Sequence, residues 1–383
     1  MKYMRLWIMM LATIGLEACT REDGSFPGTY SSEAIIFTSP YNVTRSPELR
    51  NSFLSGDQIG VLGYCKATYN NVDYSSSPWN TKKAFASPSL FYNQKLTYTE
   101  AGMWTYDTDN YSPGNQLQPW YEDESYTYAF FAYYPYAEIN NYSTTGTIYN
   151  DNNESMGTIT LSSSNTTGDP VITYSMPYST GGTTNTPRNW AIVPDFMLAY
   201  SIDHIRKDGP VNLSFRHIFC AFEFEVNNYN TTEAIINNLW FSGTNFYRTV
   251  SITGQESDYT IKTDRYSGYF NIADTDITCP AATEVNGVLV PGKLKINITG
   301  TEDPIDLLLI PDAQGKITEG DCSVSVRLNN ESTPRTQNIK GSATFEPGTR
   351  SIFSINLVGN NFVLQVHSDG QWDDGGDSDI SFD

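Results

Sequence analysis

The residues able to do chemistry are few, and their spacing argues against most reactions. The three histidines, His204, His217 and His367, form no H-E-x-x-H or H-x-x-x-H arrangement, the spacing that turns two imidazoles toward one zinc ion. His217 lies between two apolar segments and reads as a hydrogen-bonded structural group. No G-x-S-x-G elbow, Walker loop or strand-borne G-x-G-x-x-G is present, so serine hydrolysis, nucleotide hydrolysis and dinucleotide binding have no motif behind them. A glycosidase needs two carboxylates opposed across a cleft, and no short motif marks such a pair. The densest acid cluster runs from Asp369 to Asp379. Clustered carboxylates can hold calcium, but this run lacks the ordered 1, 3, 5 ligands with Gly at 6 and Glu at 12, and it reads as a solvated tail. The expectation is a non-enzyme with no catalytic residue, no metal ligand and no cofactor.

Three other residues point to processing. Lys2 and Arg5 precede the apolar run Leu6–Leu16, then Glu17-Ala18-Cys19 follows. The run is too short to span a bilayer and has the layout of a secretory signal, residues 1–18. Leu16, Ala18 and Cys19 resemble a bacterial lipoprotein cleavage box, in which Cys19 is acylated and becomes the new N-terminus, although Glu17 departs from the usual small residue. Arg45 lies in a polar stretch between Pro40 and Pro47, a favourable place for proteolysis, with Arg50 a second candidate. Removing the signal leaves Cys65, Cys220, Cys279 and Cys322, which permit up to two disulfides in any of three pairings in an exported chain. Within Phe219-Cys220-Ala221-Phe222, Cys220 reads as a small buried hydrophobe.

The elements that must carry these residues are strands. The chain has 383 residues with 14% aromatics, including 26 Tyr and 19 Phe, and only 17% charged residues, a composition that fits pleated sheets better than long helices. Its 23 Lys and Arg against 43 Asp and Glu give a net charge of −20, which excludes a general nucleic-acid binder. Residues 19–33 read as a flexible tether. A first strand, Ala34-Ile35-Ile36-Phe37, precedes a strand at 57–64 and a strongly aromatic one at 126–134. Trp79, Trp104 and Trp120 read as packing anchors, and 137–190 as long polar loops with a short strand at 158–161. The charged stretch His204–Pro210 reads as a linker, dividing the chain into 34–209 and 210–383. Short strands and turn signals recur in both halves, as expected for an all-β protein of two tandem sandwiches.

The signal to Cys19, Ile35-Ile36-Phe37 followed by Thr44-Arg45, and Phe53-Leu54-Ser55-Gly56-Asp57-Gln58-Ile59-Gly60-Val61 occur in that order. The order continues with Phe130-Phe131-Ala132-Tyr133-Tyr134-Pro135-Tyr136, Pro194-Asp195-Phe196-Met197-Leu198-Ala199 and Leu213-Ser214-Phe215-Arg216-His217. Together they resemble the fimbrillin family, subunits of type V pili and their relatives on the surface of Gram-negative anaerobes. The resemblance implies two transthyretin-like β-sandwich domains and a pilin made as a lipoprotein precursor, anchored in the outer membrane before processing. In that scheme an arginine-directed protease removes the lipidated end with the first strand, and a neighbouring subunit's strand fills the groove. The implied partners are other fimbrial subunits in a homo- or heteropolymer and a host or bacterial surface glycan or protein, in a fimbrium that supports adhesion.

Two segments alternate as a groove-filling strand must. The first is Phe362-Val363-Leu364-Gln365-Val366, which reads equally as the closing strand of its own domain. The second is the extension through Trp372 and Ile380-Ser381-Phe382. The alternative function is a monomeric surface lipoprotein that captures glycan or calcium.

Overall fold

The computed structural model describes residues 30–39, 53–106, 118–140, 143–150, 152–177, 193–255, 261–273, 276–296, 307–311, 316–317, 322–339, 343–345, 347–359 and 361–371. It is all-β, as its composition requires. The strands that build it are β1 Tyr30–Ala34, β2 Phe37–Thr38, β3 Gln58–Tyr64, β4 Phe91–Tyr98, β5 Met103–Tyr106, β6 Pro119–Tyr121 and β7 Thr127–Tyr134. They continue as β8 Thr145–Tyr149, β9 Ser155–Leu161, β10 Val171–Ser175, β11 Met197–Ile205, β12 Val211–Asn212, β13 Arg216–His217, β14 Cys220–Asn228 and β15 Ala234–Thr253. Further along are β16 Ile261–Ala273, β17 Thr283–Val285, β18 Val288–Val290, β19 Gly292–Lys295, β20 Leu307–Pro311, β21 Cys322–Leu328, β22 Thr349–Val358 and β23 Asn361–Gln371, with six shorter strands at Thr68–Tyr69, Val72–Asp73, Ile277–Cys279, Lys316–Ile317, Arg335–Asn338 and Ala343–Thr344. A helical turn, α1, spans Trp79–Lys82, and a 3-10 turn spans Arg206–Asp208.

The first large sheet has the order β12-β2-β5-β4-β3-β7-β11-β13. All neighbours are antiparallel except β12 and β2. Its two end strands, β12 and β13, are separated by only three residues of chain, so the sheet curls until its edges meet across 213–215. Strand β7 shows why its sequence is so aromatic: Phe130 and Ala132 enter a core inside the curl, while Phe131 and Tyr133 enter a second core on the opposite face. A strand buried on both sides needs apolar residues at every position rather than at alternate ones.

The second sheet runs β8-β9-β10-β15-β20-β14-β22-β23, with β16 and β21 also pairing to β15, and β19 to β14. Its own core gathers Phe222, Phe224, Phe241, Phe353, Ile355 and Phe362. The chain passes from the first sheet to the second at 218–220. Strands β8 to β10 precede that crossing yet join the second sheet, so the sheets do not follow 34–209 and 210–383 strand for strand.

Several local expectations are corrected. Residues 30–33, read as the end of the tether, form β1 against β6. Residues 145–175, read mainly as loops, supply three strands whose Ile148, Ile159, Leu161, Ile172 and Tyr174 are buried in the core between the sheets. His204 lies in β11 rather than in a linker, its ring stacked on Trp120 at 5.5 Å. The four described cysteines are buried free thiols, and burial pushes Cys65 up to about 12 and Cys279 up to about 11. Trp79, Trp104 and Trp120 are buried, as expected of anchors.

Candidate functional site

The site is the place of the first strand. Expected as one run over Ala34-Ile35-Ile36-Phe37, it is two pieces: Ala34 ends β1, Ile35 and Ile36 form no ladder, and Phe37 begins β2. Although β2 has two residues, it sits inside the sheet, parallel to β12 through Phe37 and Val211 and antiparallel to β5 through Phe37 and Trp104. Ile35 and Phe37 are wholly buried while Ile36 points to solvent, the alternation of an extended segment over a core. The Phe37 ring meets Phe130 edge-on at 5.2 Å and Phe91 at 5.9 Å.

Backbone groups hold the segment along its length. Ile35 N–H donates to Gln118 O (2.9 Å), Val211 N–H to Ile36 O (2.8 Å) and Leu213 N–H to Thr38 O (2.9 Å). The Tyr106 hydroxyl donates to Ile35 O (2.8 Å) and the Ser39 hydroxyl to Leu213 O (3.2 Å). At the outer end Arg206 Nε meets Glu33 Oε2 at 2.9 Å, and this guanidinium holds the exposed Glu33 carboxyl below its ordinary value.

The sequence motifs build the sheet around this slot, Phe53 on the slot's own core and Gly60 on the opposite face. Phe53 packs against Trp104 (4.7 Å), Phe215 (4.9 Å) and Tyr134 (5.4 Å). Gly56, at φ +98°, makes the turn that Asp57 closes by accepting the Leu54 N–H (2.6 Å). Gly60 leaves room for Tyr133: a Cβ there would stand 2.3 Å from its ring, displacing the hydroxyl that donates to Asn93 Oδ1. Asp195 and His217 also meet, Oδ1 to Nδ1 at 2.9 Å, tying β13 to the start of β11. His217 is thus the hydrogen-bonded structural group its surroundings imply.

Away from the slot, Lys82 is fully buried. Its Nζ donates to Cys65 O (3.2 Å), Ser75 O (3.3 Å), Thr127 Oγ1 (2.8 Å) and Thr127 O. Burial lowers this amine to about 8. The contacts fasten α1 to the ends of β3 and β7 without using the first strand. Sequence reasoning passed over Lys82; its one signal was a lysine three residues from a tryptophan anchor.

Of the other expected site residues, Phe362 to Val366 lie in β23, which pairs antiparallel with β22 from Phe362 opposite Leu357 to Val366 opposite Phe353. Phe362 and Val366 are buried in their own core and Val363 faces solvent. Cys19, Arg45, Arg50, Trp372 and Ile380-Ser381-Phe382 lie outside the described residues, as do the signal and most of the acidic tail. Among the described residues no cluster of three or more His, Cys, Asp or Glu could hold a metal ion.

The sequence pattern of the fimbrillin-like family matches residues 44–369. The fimbrium subunit Fim1C of Phocaeicola vulgatus is 23% identical in an alignment covering 98% of this chain and 98% of that protein. A crystal structure of a fimbrial protein from Bacteroides vulgatus shares the fold with a TM-score of 0.53 at 17% identity, over 82% of this chain and 92% of that one. The chain belongs to the fimbrillin-like family.

Proposed function

We propose that the chain is a structural subunit of a cell-surface fimbria, exported as a precursor lipidated at Cys19 and assembled by exchanging its first strand for one from a neighbouring subunit. The observation that carries this reading is a strand of two ladder residues inside an eight-stranded sheet, on a segment that buries Ile35 and Phe37 wholly. Cleavage at Arg45 or Arg50 removes β1 and β2 together. The departure uncovers the seats of Ile35 and Phe37, each worth about 1.5–3 kcal/mol of burial. It also strips the Val211 and Leu213 N–H groups and the Tyr106 hydroxyl of their acceptors, a cost of about 1–3 kcal/mol for each group left dry. An incoming strand must therefore present apolar residues two apart and its own carbonyls.

The terminal segment Ile380-Ser381-Phe382 repeats the Ile35-Ile36-Phe37 spacing, apolar residues flanking one outward position. It belongs to the 12 residues beyond Gln371, a reach of roughly 40 Å when extended. Strand β23, by contrast, is engaged in its own sheet, which favours the extension as donor. The role is architectural, with other fimbrial subunits as partners, the outer membrane as the first anchorage and adhesion as the use. N-terminal sequencing of surface-sheared material, with electron microscopy of the same sample, tests it. Filaments whose subunits begin at Ser46 or Asn51 are expected. A surface form that begins at Cys19 and stays monomeric overturns the reading.

A further inference from the structure

Strands β8, β9, β10 and β15 lie side by side in the second sheet, and their outward positions repeat one chemistry. Thr145 stands opposite Thr160, Thr160 opposite Thr173 and Thr173 opposite Ser251. Two residues away along each strand, Thr147 faces Thr158, Thr158 faces Ser175 and Ser175 faces Thr249. Eight hydroxyl side chains thus form two rows across four strands, about 4.8 Å apart within a row and roughly 6.8 Å from row to row. The alternate residues Ile148, Ile159, Ile172, Tyr174, Val250 and Ile252 are buried in the core between the sheets. Of the eight in the rows, Thr145 is exposed and the others are half-buried.

The hydroxyls are already joined in pairs: Thr145 with Thr160 at 2.8 Å, Thr173 with Ser251 at 2.7 Å, and Thr249 donating to Ser175 at 3.1 Å. A hydroxyl has one proton and two lone pairs, so the Thr145–Thr160 and Thr173–Ser251 pairs each keep a proton and several lone pairs for an outside group. Holding each pair in advance lowers the ordering cost of binding. None of the eight carries a charge, in a chain of −20. That is unusual beside β8, an edge strand, because charged side chains are a common protection of such edges. The acid Glu138 stands at the rim, bridged through its backbone to Thr147. The next outward residue of β8 is Tyr149, 56% exposed, an apolar ring with a polar tip.

We propose that this face binds an extended, uncharged polysaccharide laid across the strands along the hydroxyl rows, with the Tyr149 ring stacked on a sugar at the edge. Chemistry selects that ligand. A phosphate or carboxylate needs cations, which the rows lack, and is repelled by the net charge. A metal ion needs carboxylates rather than neutral hydroxyls. A protein partner is anchored by aromatic or Arg groups buried in pockets, whereas here the ladder carries short side chains and its one exposed ring lies at the rim. Neutral sugars carry hydroxyls that both donate and accept, on rings with an apolar face; the rows meet the first, and the threonine methyls and Tyr149 meet the second. The strand spacing of about 4.8 Å is also close to the length of one pyranose unit. The face stands clear of the slot. Phe130 and Ala132 of β7 enter the slot's core, while Phe131 and Tyr133 enter the core that β8 to β10 cover. The first sheet and that second core therefore separate the rows from the first strand, and the proposal does not rest on strand exchange.

The test is affinity electrophoresis of the chain from residue 20 onward, uncleaved, so that every described residue is kept and the slot is occupied. Native gels carry a mixed-linkage β-glucan, a β-mannan or an α-glucan, with polygalacturonate as the anionic control. At least one neutral polymer should retard the chain, and polygalacturonate should not. T160V/T173V keeps the branched shape but removes two hydroxyls from one row, and should bind at least about tenfold more weakly. Y149A should weaken binding while Y149F keeps it, because the ring is the contact. All three variants should melt as wild type does, these positions being outward. No retardation by any neutral polymer, equal retardation by polygalacturonate, or binding indifferent to T160V/T173V overturns the proposal. So does self-association of wild type that T160V/T173V abolishes, since the face is then a contact between copies. None of these outcomes bears on exchange at the slot, which the sequencing of filament subunits reads separately.

Discussion

Two strands near the ends of the described chain, β2 and β23, are opposites. Strand β2 has two ladder residues and lies inside its sheet; β23 has eleven residues and lies at an edge. The short one is flanked on both sides, and its Phe37 touches three aromatic rings. The long one is flanked by β22, and the backbone N–H of Leu364 is also met by Gln337 Oε1 (3.1 Å). Ladder length governs how readily a strand can leave, while position governs what its leaving exposes. A short interior strand is easy to release and leaves a hole that demands filling; a long edge strand is hard to release and leaves only a new edge. The first is therefore suited to exchange and the second to permanence.

That contrast can be broken experimentally, most drastically at β23. Deleting residues 361–371 should abolish cooperative melting of the C-terminal half, whereas a stop after Gln371 should leave Tm within about 2 °C of wild type; calorimetry reads both. An unharmed chain without β23 would show that the edge strand is dispensable. Next in size, Phe37→Ala in the uncleaved chain should cost about 3–5 kcal/mol in urea unfolding. The loss should vanish once the chain is cut after Arg45, because the residue then leaves with its strand.

Lys82→Met should cost about 1–3 kcal/mol by stripping four acceptors of their donor. Unlike Phe37→Ala, it should cost the same before and after cleavage. Its pH dependence has a definite sign. Burial lowers the folded-state amine to about 8 from 10.5, so the unfolded chain binds the extra proton between those values. Wild type should therefore gain stability over Lys82→Met as pH rises through that window. The smallest effect belongs to Glu33→Gln at the exposed end of the segment, where the urea midpoint should not move measurably at neutral pH. Arg206 holds the Glu33 carboxyl below its ordinary value, so any contribution is present above the usual carboxylate range and fades as pH falls.

Much of this contrast was legible in the sequence, for reasons that differ by residue. The run Tyr126–Tyr134 announced a strand because only β-structure buried on both faces needs so many consecutive aromatics. The importance of Gly56, Asp57 and Gly60 also showed, although their geometry did not. Strands β8 and β10 were missed, and β9 was read only over 158–161, because their alternation pairs Ile, Leu and Tyr with Thr and Ser in a stretch whose overall composition is polar. The period of two in Ile159-Thr160-Leu161 and Ile172-Thr173-Tyr174 was the better guide. The alternation of Glu223 and Glu225 with Phe222, Phe224 and Val226 predicts a solvent face for the acids, yet Arg350 and Lys295 (3.0 Å) enclose the Glu223 carboxylate. The partners of β2 were not legible at all: β5 and β12 lie more than sixty residues away, and two-residue ladders leave no periodic trace.

Under strand exchange a neighbour's terminal segment takes the place of Ile35 and Phe37, and a cross-link reads it directly. If Ile380 and Phe382 occupy those seats in the same direction, Asp383 stands where Thr38 does, beside the exposed Asn212. A chain carrying N212C and D383C, cut after Arg45 and mildly oxidised, should yield a ladder of covalently joined chains. The uncut chain, its slot filled, should yield none. The buried native thiols, including Cys65 at about 12 and Cys279 at about 11, should stay silent. Polymers that form without the cross-link, or cross-links that appear equally before cleavage, would contradict the exchange.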